Sequence, residues 1–535
     1  MSVKVRNKTI VFLLIMNLTM VFPSRTEAKE KFLKGRYGGT LVMGAREIPT
    51  KINPIFTTHT VSLDLMNLIF DHLIRMGTKG KIEPSLAESW ENSEDGLIYT
   101  FYLKEGVKFH DGVELTAKDV KFTYEQILDP KNESPYRSHF ELIEKIEIID
   151  KYIVKFVLSD PFPIFLTKLA YREIVPKHIL EGQELRNTSF NYSPIGTGPF
   201  KFSSWDRDTD QIELVANEDY FEGRPYLDKI IVKIYPEGYG LWPAFMREEV
   251  DFIMFIDHED YKVIEKDPAL RGYKIPWDKY CAIAYNIEDP VLRDKEVRRA
   301  IAQSINRKEI IEAVFPGGIE SIGPFHPETE GFNREVKLLE YDPMKAKIDL
   351  MHRGWIDEDN DGILEKNGRE LEIKMLVDER SDLYKKMALI IRQQLAEVGI
   401  KIVVQLYKDE EELTKEYLNE KKPQAWLRFY NGSSNHPYEA VGSWYSLSSE
   451  FGKIWNYKND EVDRLFELCR VSIDKNKKLE SYRAIHKMVY EDQPACFLFF
   501  PVSYHAISSK LKNTDEYFSI DMPVYTMKNW YISEN

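Results

Sequence analysis

Apolar residues recur along this chain with two different periods, and the change of period organises it. Gly39-Thr40-Leu41-Val42-Met43-Gly44 is a short apolar run between glycines and predicts a strand. Leu97 to Leu103 is richer in β-branched and aromatic residues and follows the turn pair Asp95-Gly96, so it predicts a stronger one. Lys108-Phe109-His110 runs into Asp111-Gly112, a hairpin turn whose glycine tolerates positive φ. Thr116 with Asp119 resembles a capping box, opening a helix through Val120, Phe122, Tyr124 and Ile127 that Asp129-Pro130 closes. A further strand, Tyr152 to Leu158, ends in the break Asp160-Pro161-Phe162-Pro163. Ser193 to Phe200 carries two prolines and two glycines and reads as a crossover between lobes.

Past that point strands are expected at Gln211–Ala216, Lys229–Tyr235 and Tyr280–Asn286, the last leading into a helix over Lys295–Ser304. The later half then alternates: strand Glu372–Val377, helix Leu383–Val398 ending at Gly399, strand Ile400–Leu406, and a final apolar strand Phe497–Pro501. Strand–helix–strand alternation predicts an α/β fold with a partly parallel sheet.

Length and charge narrow the possibilities. The 535 residues exceed one core and call for at least two lobes. Lys+Arg 73 against Asp+Glu 87 leaves a net charge of −14, which offers no broad basic face for nucleic acid. Cys281, Cys469 and Cys496 are too few and too widely spaced for a disulfide framework or a cysteine zinc site; whether Cys469 and Cys496 pair is left open. Lys4, Arg6 and Lys8 precede an apolar run from Ile10 to Phe22, and Thr26-Glu27-Ala28 supplies small residues for cleavage. That run is about 13 residues against the roughly 20 a bilayer needs, so residues 1–28 are expected to be a signal peptide of an exported chain. No cysteine near the cleavage point could take a lipid anchor.

Enzyme signatures are absent: there is no Gly-x-Ser-x-Gly elbow, His-Glu-x-x-His, P-loop or dinucleotide fingerprint, and Gly198 is followed by a proline with no donor for a phosphate. Asp357-Glu358-Asp359-Asn360-Asp361-Gly362 begins like a calcium loop, but its twelfth position is Gly368, where an EF-hand needs a bidentate Glu; a polar turn explains it equally well. Trp426, Arg428, Tyr430, Asn431 and Asn435, with Trp444 and Tyr445, gather aromatic and polar groups around the loop Gly432 to Pro437, as a small-ligand cleft requires.

Several of these segments together resemble the bacterial extracellular solute-binding proteins of family 5, the dipeptide, oligopeptide and nickel receptors of ABC importers. The matching stretches are Ile82 to Trp90, Tyr99 to Val120, Pro194 to Phe200, Asn217-Glu218-Asp219-Tyr220, Tyr285-Asn286 with Asp294 to Ala300, and Gly354-Trp355. The resemblance implies a periplasmic-binding-protein clamshell of the large type II kind with an extra domain. Two mixed-sheet lobes would be joined by a two-strand hinge near Tyr280–Asn286 and Phe497–Pro501. It implies lobe I from residues 36–80, 198–284 and 505–535, the extra domain from 81–197, and lobe III from 285–504. It also implies a periplasmic, monomeric receptor without cofactor or metal, whose partners are a peptide or small-molecule solute and the ABC permease subunits of the inner membrane.

One departure bears on the solute. Peptide receptors of the family resemble one another in an Asp, within a Trp-x-x-Asp-Tyr-x-Asp-Pro type segment, that pairs with the peptide's amine. Here Trp426 to Tyr438 contains no Asp or Glu and instead offers Arg428 and His436. A carboxylate would find a guanidinium fork there. Asp378 or Glu379 could supply the missing negative charge. The expected solute contacts are Trp426, Arg428, Tyr430 and Asn431, with Trp444 and Tyr445 as walls, Thr58 and His59 from the first lobe, and Trp277 and Tyr280 beside the hinge. A peptide or peptide-like solute is the leading expectation. A nickel chelate or anionic small molecule held by Arg428 and His436 is the alternative, and an exported hydrolase the alternative of another class.

Overall fold

Alternating apolar and polar residues build three principal sheets in the computed structural model, which describes residues 37–77, 81–235, 240–268, 270–277, 279–415, 423–432, 437–447, 456–472, 474–515 and 523–533. The expected signal segment and residues 433–436 lie outside that set. A seven-stranded sheet runs in the order Leu270–Pro276, Val502–Ser508, Phe252–Ile256, Thr40–Ala45, Lys229–Ile234, Gln211–Ala216, Phe200–Asp206. Its central strand, Thr40–Ala45, is parallel to both neighbours. A six-stranded sheet runs Ile319–Glu320, Ala495–Phe500, Lys279–Tyr285, Ala425–Asn431, Glu372–Asp378, Lys401–Tyr407. Helices Lys295–Ser304 and Asp382–Ala396 cover one of its faces, Asp460–Val471 and Lys475–Asp492 the other, so every residue of Ala495–Phe500 is buried. Strands buried on both faces read as continuous apolar runs, which is why this one was visible without alternation.

The third sheet has four strands, ordered Ala87–Asn92, Ile98–Leu103, Ile153–Leu158, Ile143–Asp150. The predicted helix packs on it as Ala117–Leu128, with the Tyr124 ring edge-on to Phe156 at 5.3 Å. The capping box forms as expected: Thr116 N–H donates to Asp119 Oδ2 at 2.9 Å, and Lys118 N–H donates to Thr116 Oγ1 at 3.3 Å.

Two strands change sheet together. Leu270–Pro276 pairs antiparallel with Val502–Ser508 in the seven-stranded sheet, whereas Lys279–Tyr285 pairs with Ala495–Phe500 in the six-stranded one. The joints are Trp277 and Pro501, where Trp277 N–H donates to the Pro501 carbonyl at 2.9 Å. The expected lobe boundaries after residues 284 and 504 therefore do not coincide with the change of sheet. Lys279–Tyr285 belongs wholly to the six-stranded sheet, and Val502 to Tyr504 to the seven-stranded one. The apolar run continues unbroken through Pro501, so only its missing N–H marks the transfer.

The Ser193–Phe200 segment does pass from the four-stranded to the seven-stranded sheet, but as a buried joint. Gly198 N–H donates to the Ile69 carbonyl at 2.8 Å. A Cβ on Gly196 would lie 2.1 Å from that carbonyl oxygen, and one on Gly198 2.5 Å from its carbon. His110 clamps the same joint, its Nδ1 accepting from Gly196 N–H at 3.2 Å and its Nε2 donating to the Gly198 carbonyl at 3.0 Å. Burial holds that imidazole neutral, its pKa lowered to about 4.

Two tests follow from this packing. Gly196→Ala should destabilise the chain by about 1–3 kcal/mol, the usual cost of overpacking, seen as a lower urea midpoint; an unchanged midpoint would show that the joint yields. On helix Thr60–Ile69, Asp64 Oδ2 is buried without a hydrogen-bond partner among the described residues, and burial pushes the carboxyl from 3.8 up to about 8. A folded pKa above the unfolded one stabilises below pH ~4, and that contribution is lost as pH rises through about 8. Asp64→Asn should therefore raise the melting midpoint more at pH 8 than at pH 4; equal shifts at both would contradict it.

Candidate functional site

Crevices in open α/β sheets form outside the carboxyl ends of the parallel strands, where the chain departs to either side. In the seven-stranded sheet those ends are Ala45, Ile234 and Ile256. Arg46, Glu47 and Ile48 continue from the first. The loop before helix Thr60–Ile69 reaches them through His59, whose Nε2 lies 3.0 Å from Glu47 Oε2. Thr58 is exposed beside it. Thr57 is buried, 4 % exposed, with an Oγ1 that finds no partner among the described residues, while its carbonyl accepts from the Tyr136 hydroxyl. Sequence reasoning singled out Thr58 and missed Thr57, Arg46 and Glu47; their only signal was position immediately after a strand or before a helix.

In the six-stranded sheet three strands run parallel and end together at Asp378, Tyr407 and Asn431. Period-two geometry puts Trp426, Arg428 and Tyr430 on one face of the last strand, opposite Ala284, Ala282 and Tyr280 of its antiparallel partner. The two alanines leave room for the large residues facing them. Arg428 is half-buried, its guanidinium 4.4 Å from the Trp426 ring and 5.8 Å from that of Tyr430. Among the described residues no carboxylate or carbonyl accepts from it. The Trp426 indole N–H beside it is likewise buried without an acceptor.

The other expected contacts divide. Tyr280 and Trp444 are core residues, 1 % and 2 % exposed, Trp444 packing edge-on against Tyr457 and Phe497 beneath the sheet. Tyr445 is half-buried, stacked on Phe466 at 4.5 Å, with its hydroxyl donating to Glu467. Trp444 therefore serves as packing and not as the cleft wall expected of it, because aromatic clustering looks the same in a core and in a pocket. Tyr430 is 3 % exposed and spends its hydroxyl on the Trp426 carbonyl. Asn431 is exposed at the strand end, and Trp277 stands at the joint between the sheets, its ring 5.7 Å from Phe315 and 6.0 Å from Phe429. Asp378 does not supply a free negative charge: Arg380 grips it with two hydrogen bonds of 2.9 and 2.7 Å and holds its carboxyl below the usual range. His436 and Asn435 lie outside the described residues.

Contacts between distant segments bridge the four- and six-stranded sheets' surroundings. Lys168 Nζ lies 2.5 Å from Glu439 Oε1, and Arg470 Nη1 lies 3.4 Å from Asp160 Oδ1. At the other end, the Tyr504 hydroxyl donates to the Pro316 carbonyl at 2.5 Å, across the strand crossing. The acidic loop gathers Asp357, Asp359, Asp361 and Glu365 with ligand oxygens within 4.8 Å of one another. Glu365 occupies the ninth loop position, overlooked because only the twelfth was considered. The carboxylates there accept from backbone N–H groups of the same turn, while Asp357 Oδ1 is buried without a partner among the described residues. Cys281 and Cys496 lie in the core on one side of the six-stranded sheet and Cys469 in that on the other; all three are free thiols, so Cys469 and Cys496 form no disulfide.

The family profile for bacterial extracellular solute-binding proteins, family 5 Middle, matches residues 81–451. The oligopeptide-binding protein AppA of Bacillus subtilis is 30 % identical over 528 residues, covering 96 % of this chain and 95 % of that protein. Its structure in complex with a nonapeptide superposes with a TM-score of 0.73, covering 94 % of this chain and 100 % of that one. NikZ from Campylobacter jejuni in complex with Ni(L-His) gives 0.71 at 26 % identity, covering 92 % and 99 %. Among the described residues no helix is long and apolar enough to cross a membrane. The chain belongs to the family 5 solute-binding proteins of ABC transporters, extracellular or periplasmic receptors that carry their solutes without transforming them.

Proposed function

We propose that this receptor captures a peptide or peptide-like solute bearing a free carboxylate and presents it, in the periplasm, to an ABC import permease of the inner membrane. The observation that carries the reading is Arg428. A guanidinium half out of water, with five donors and no acceptor among the described residues, is costly unless a guest supplies the acceptor. The neighbouring Trp426 N–H, also without an acceptor among the described residues, adds a further donor beside it. A carboxylate matches that geometry bidentately. The absence of any acid from Trp426 to Tyr438 argues against an ammonium group at this place. Relatives named for oligopeptides and dipeptides support the peptide class.

A second reading keeps Arg428 in the same role but makes the solute a metal chelate, supported by the likeness to NikZ bound to Ni(L-His). Calorimetry separates the two. Tri-alanine should release heat and its C-terminal amide should bind far more weakly, while Ni(L-His) should give none. Arg428→Met should weaken tri-alanine by about 10- to 100-fold, the worth of a charge-assisted bidentate pair. Heat from Ni(L-His) alone would transfer the assignment to the chelate, and equal affinity for acid and amide would remove Arg428 from the site.

A further inference from the structure

Phe255 is the one bulky residue among the described aromatics with a left-handed backbone, at φ 58°. A non-glycine residue pays of order 1–3 kcal/mol for such a conformation, and for an aromatic side chain it is a genuine outlier. The cause is a bulge: Ile253 pairs with Ala506 and Ile256 with Tyr504, so two residues of the Phe252–Ile256 strand, Met254 and Phe255, face a single position of the neighbouring strand. The bulge stops the ring from pointing down into the core beside Ile253 and Ile256. It leaves Phe255 45 % exposed, resting on the His505 ring at 5.3 Å. The strained carbonyl is pinned in turn, accepting from Arg46 Nη2 at 3.0 Å. Arg46 is the first residue beyond the parallel strand Thr40–Ala45. The distortion therefore lies at the carboxyl ends of two adjacent parallel strands, next to a strand that crosses between the sheets.

Packing alone does not account for this arrangement. A core would bury the ring, and a loop would place glycine or asparagine at that φ. We infer that Phe255 is a platform on the first lobe's side of the cleft, raised by the bulge to stack against an apolar or aromatic side chain of the captured solute. With Arg428 on the other lobe, it selects solutes that join a carboxylate to an apolar group, in particular peptides with an aromatic or large aliphatic residue. The inference rests on the peptide-like reading for the class of solute, but not for the strain itself.

The test compares Phe255→Gly and Phe255→Ala in the full chain, by thermal melting and by calorimetry with Ala-Phe-Ala and tri-alanine. Glycine accepts the left-handed φ, so Phe255→Gly should melt at or above the temperature of the parent chain. Both variants should bind Ala-Phe-Ala about three- to tenfold more weakly, in line with the worth of an aromatic stack, and tri-alanine with little change. A fall in the melting temperature of Phe255→Gly, with Ala-Phe-Ala affinity unaltered, would make the ring a structural residue and overturn the platform. Should the parent chain bind neither peptide, the peptide reading fails on its own. The melting temperature of Phe255→Gly then still decides whether strain is stored at this position.

Discussion

Everything in this architecture hangs on a place where two strands leave one sheet and enter another. The hydrogen bond from Trp277 N–H to the Pro501 carbonyl is the last rung shared by the two ladders. Proline at 501 supplies the acceptor but no donor, so regular pairing cannot run through the joint. Each sheet can then complete its own core, and the two are joined by little more than two short peptide segments. Such a joint lets packed bodies move as units, since their interiors do not deform continuously. The carboxyl ends of the parallel strands in both sheets, where Arg428 and the strained Phe255 sit, are the edges such a joint would bring together.

Closure in such a device need not be driven by strong contacts within the protein. The bridges found here, Lys168 with Glu439 and Asp160 with Arg470, are partly exposed ion pairs, each worth about 0–1 kcal/mol. That is enough to bias an open–closed equilibrium and too little to fix it, which leaves the decision to the guest. Groups without a hydrogen-bond partner among the described residues, such as the Arg428 guanidinium and the Trp426 N–H, then gain most from being covered.

How much of this was legible in the chain depends on the range of the interaction. Local chemistry was readable: the Thr116–Asp119 cap formed, Gly399 took its positive φ of 84°, and helix Lys295–Ser304 fell where its periodicity placed it. Gln211–Ala216 was visible because one face of it is buried, and Glu372–Asp378 because its apolar run Met375-Leu376-Val377 is buried on both faces. The strand Leu270–Pro276 was not, since its Arg271, Gly272 and Lys274 obscure any alternation in a strand paired along one edge. Arg428 was marked as chemically unusual by its neighbours in sequence, and the structure leaves it half-buried against the Trp426 ring. Trp444 was misread because a buried indole and a ligand-facing one carry the same letter. Asp64, Phe255 and the 271-residue separation between Lys168 and Glu439 depend on what the fold brings near or keeps away, and no local pattern reports that.

The most direct test of a hinge at Trp277 and Pro501 is the distance between paired spin labels at Thr58 and Glu379, one at each sheet's carboxyl edge, measured with and without a peptide that binds. The account predicts a broad, longer distribution that collapses to a narrow, shorter one when the cleft is occupied. A single distribution, unchanged by saturating peptide, would contradict it.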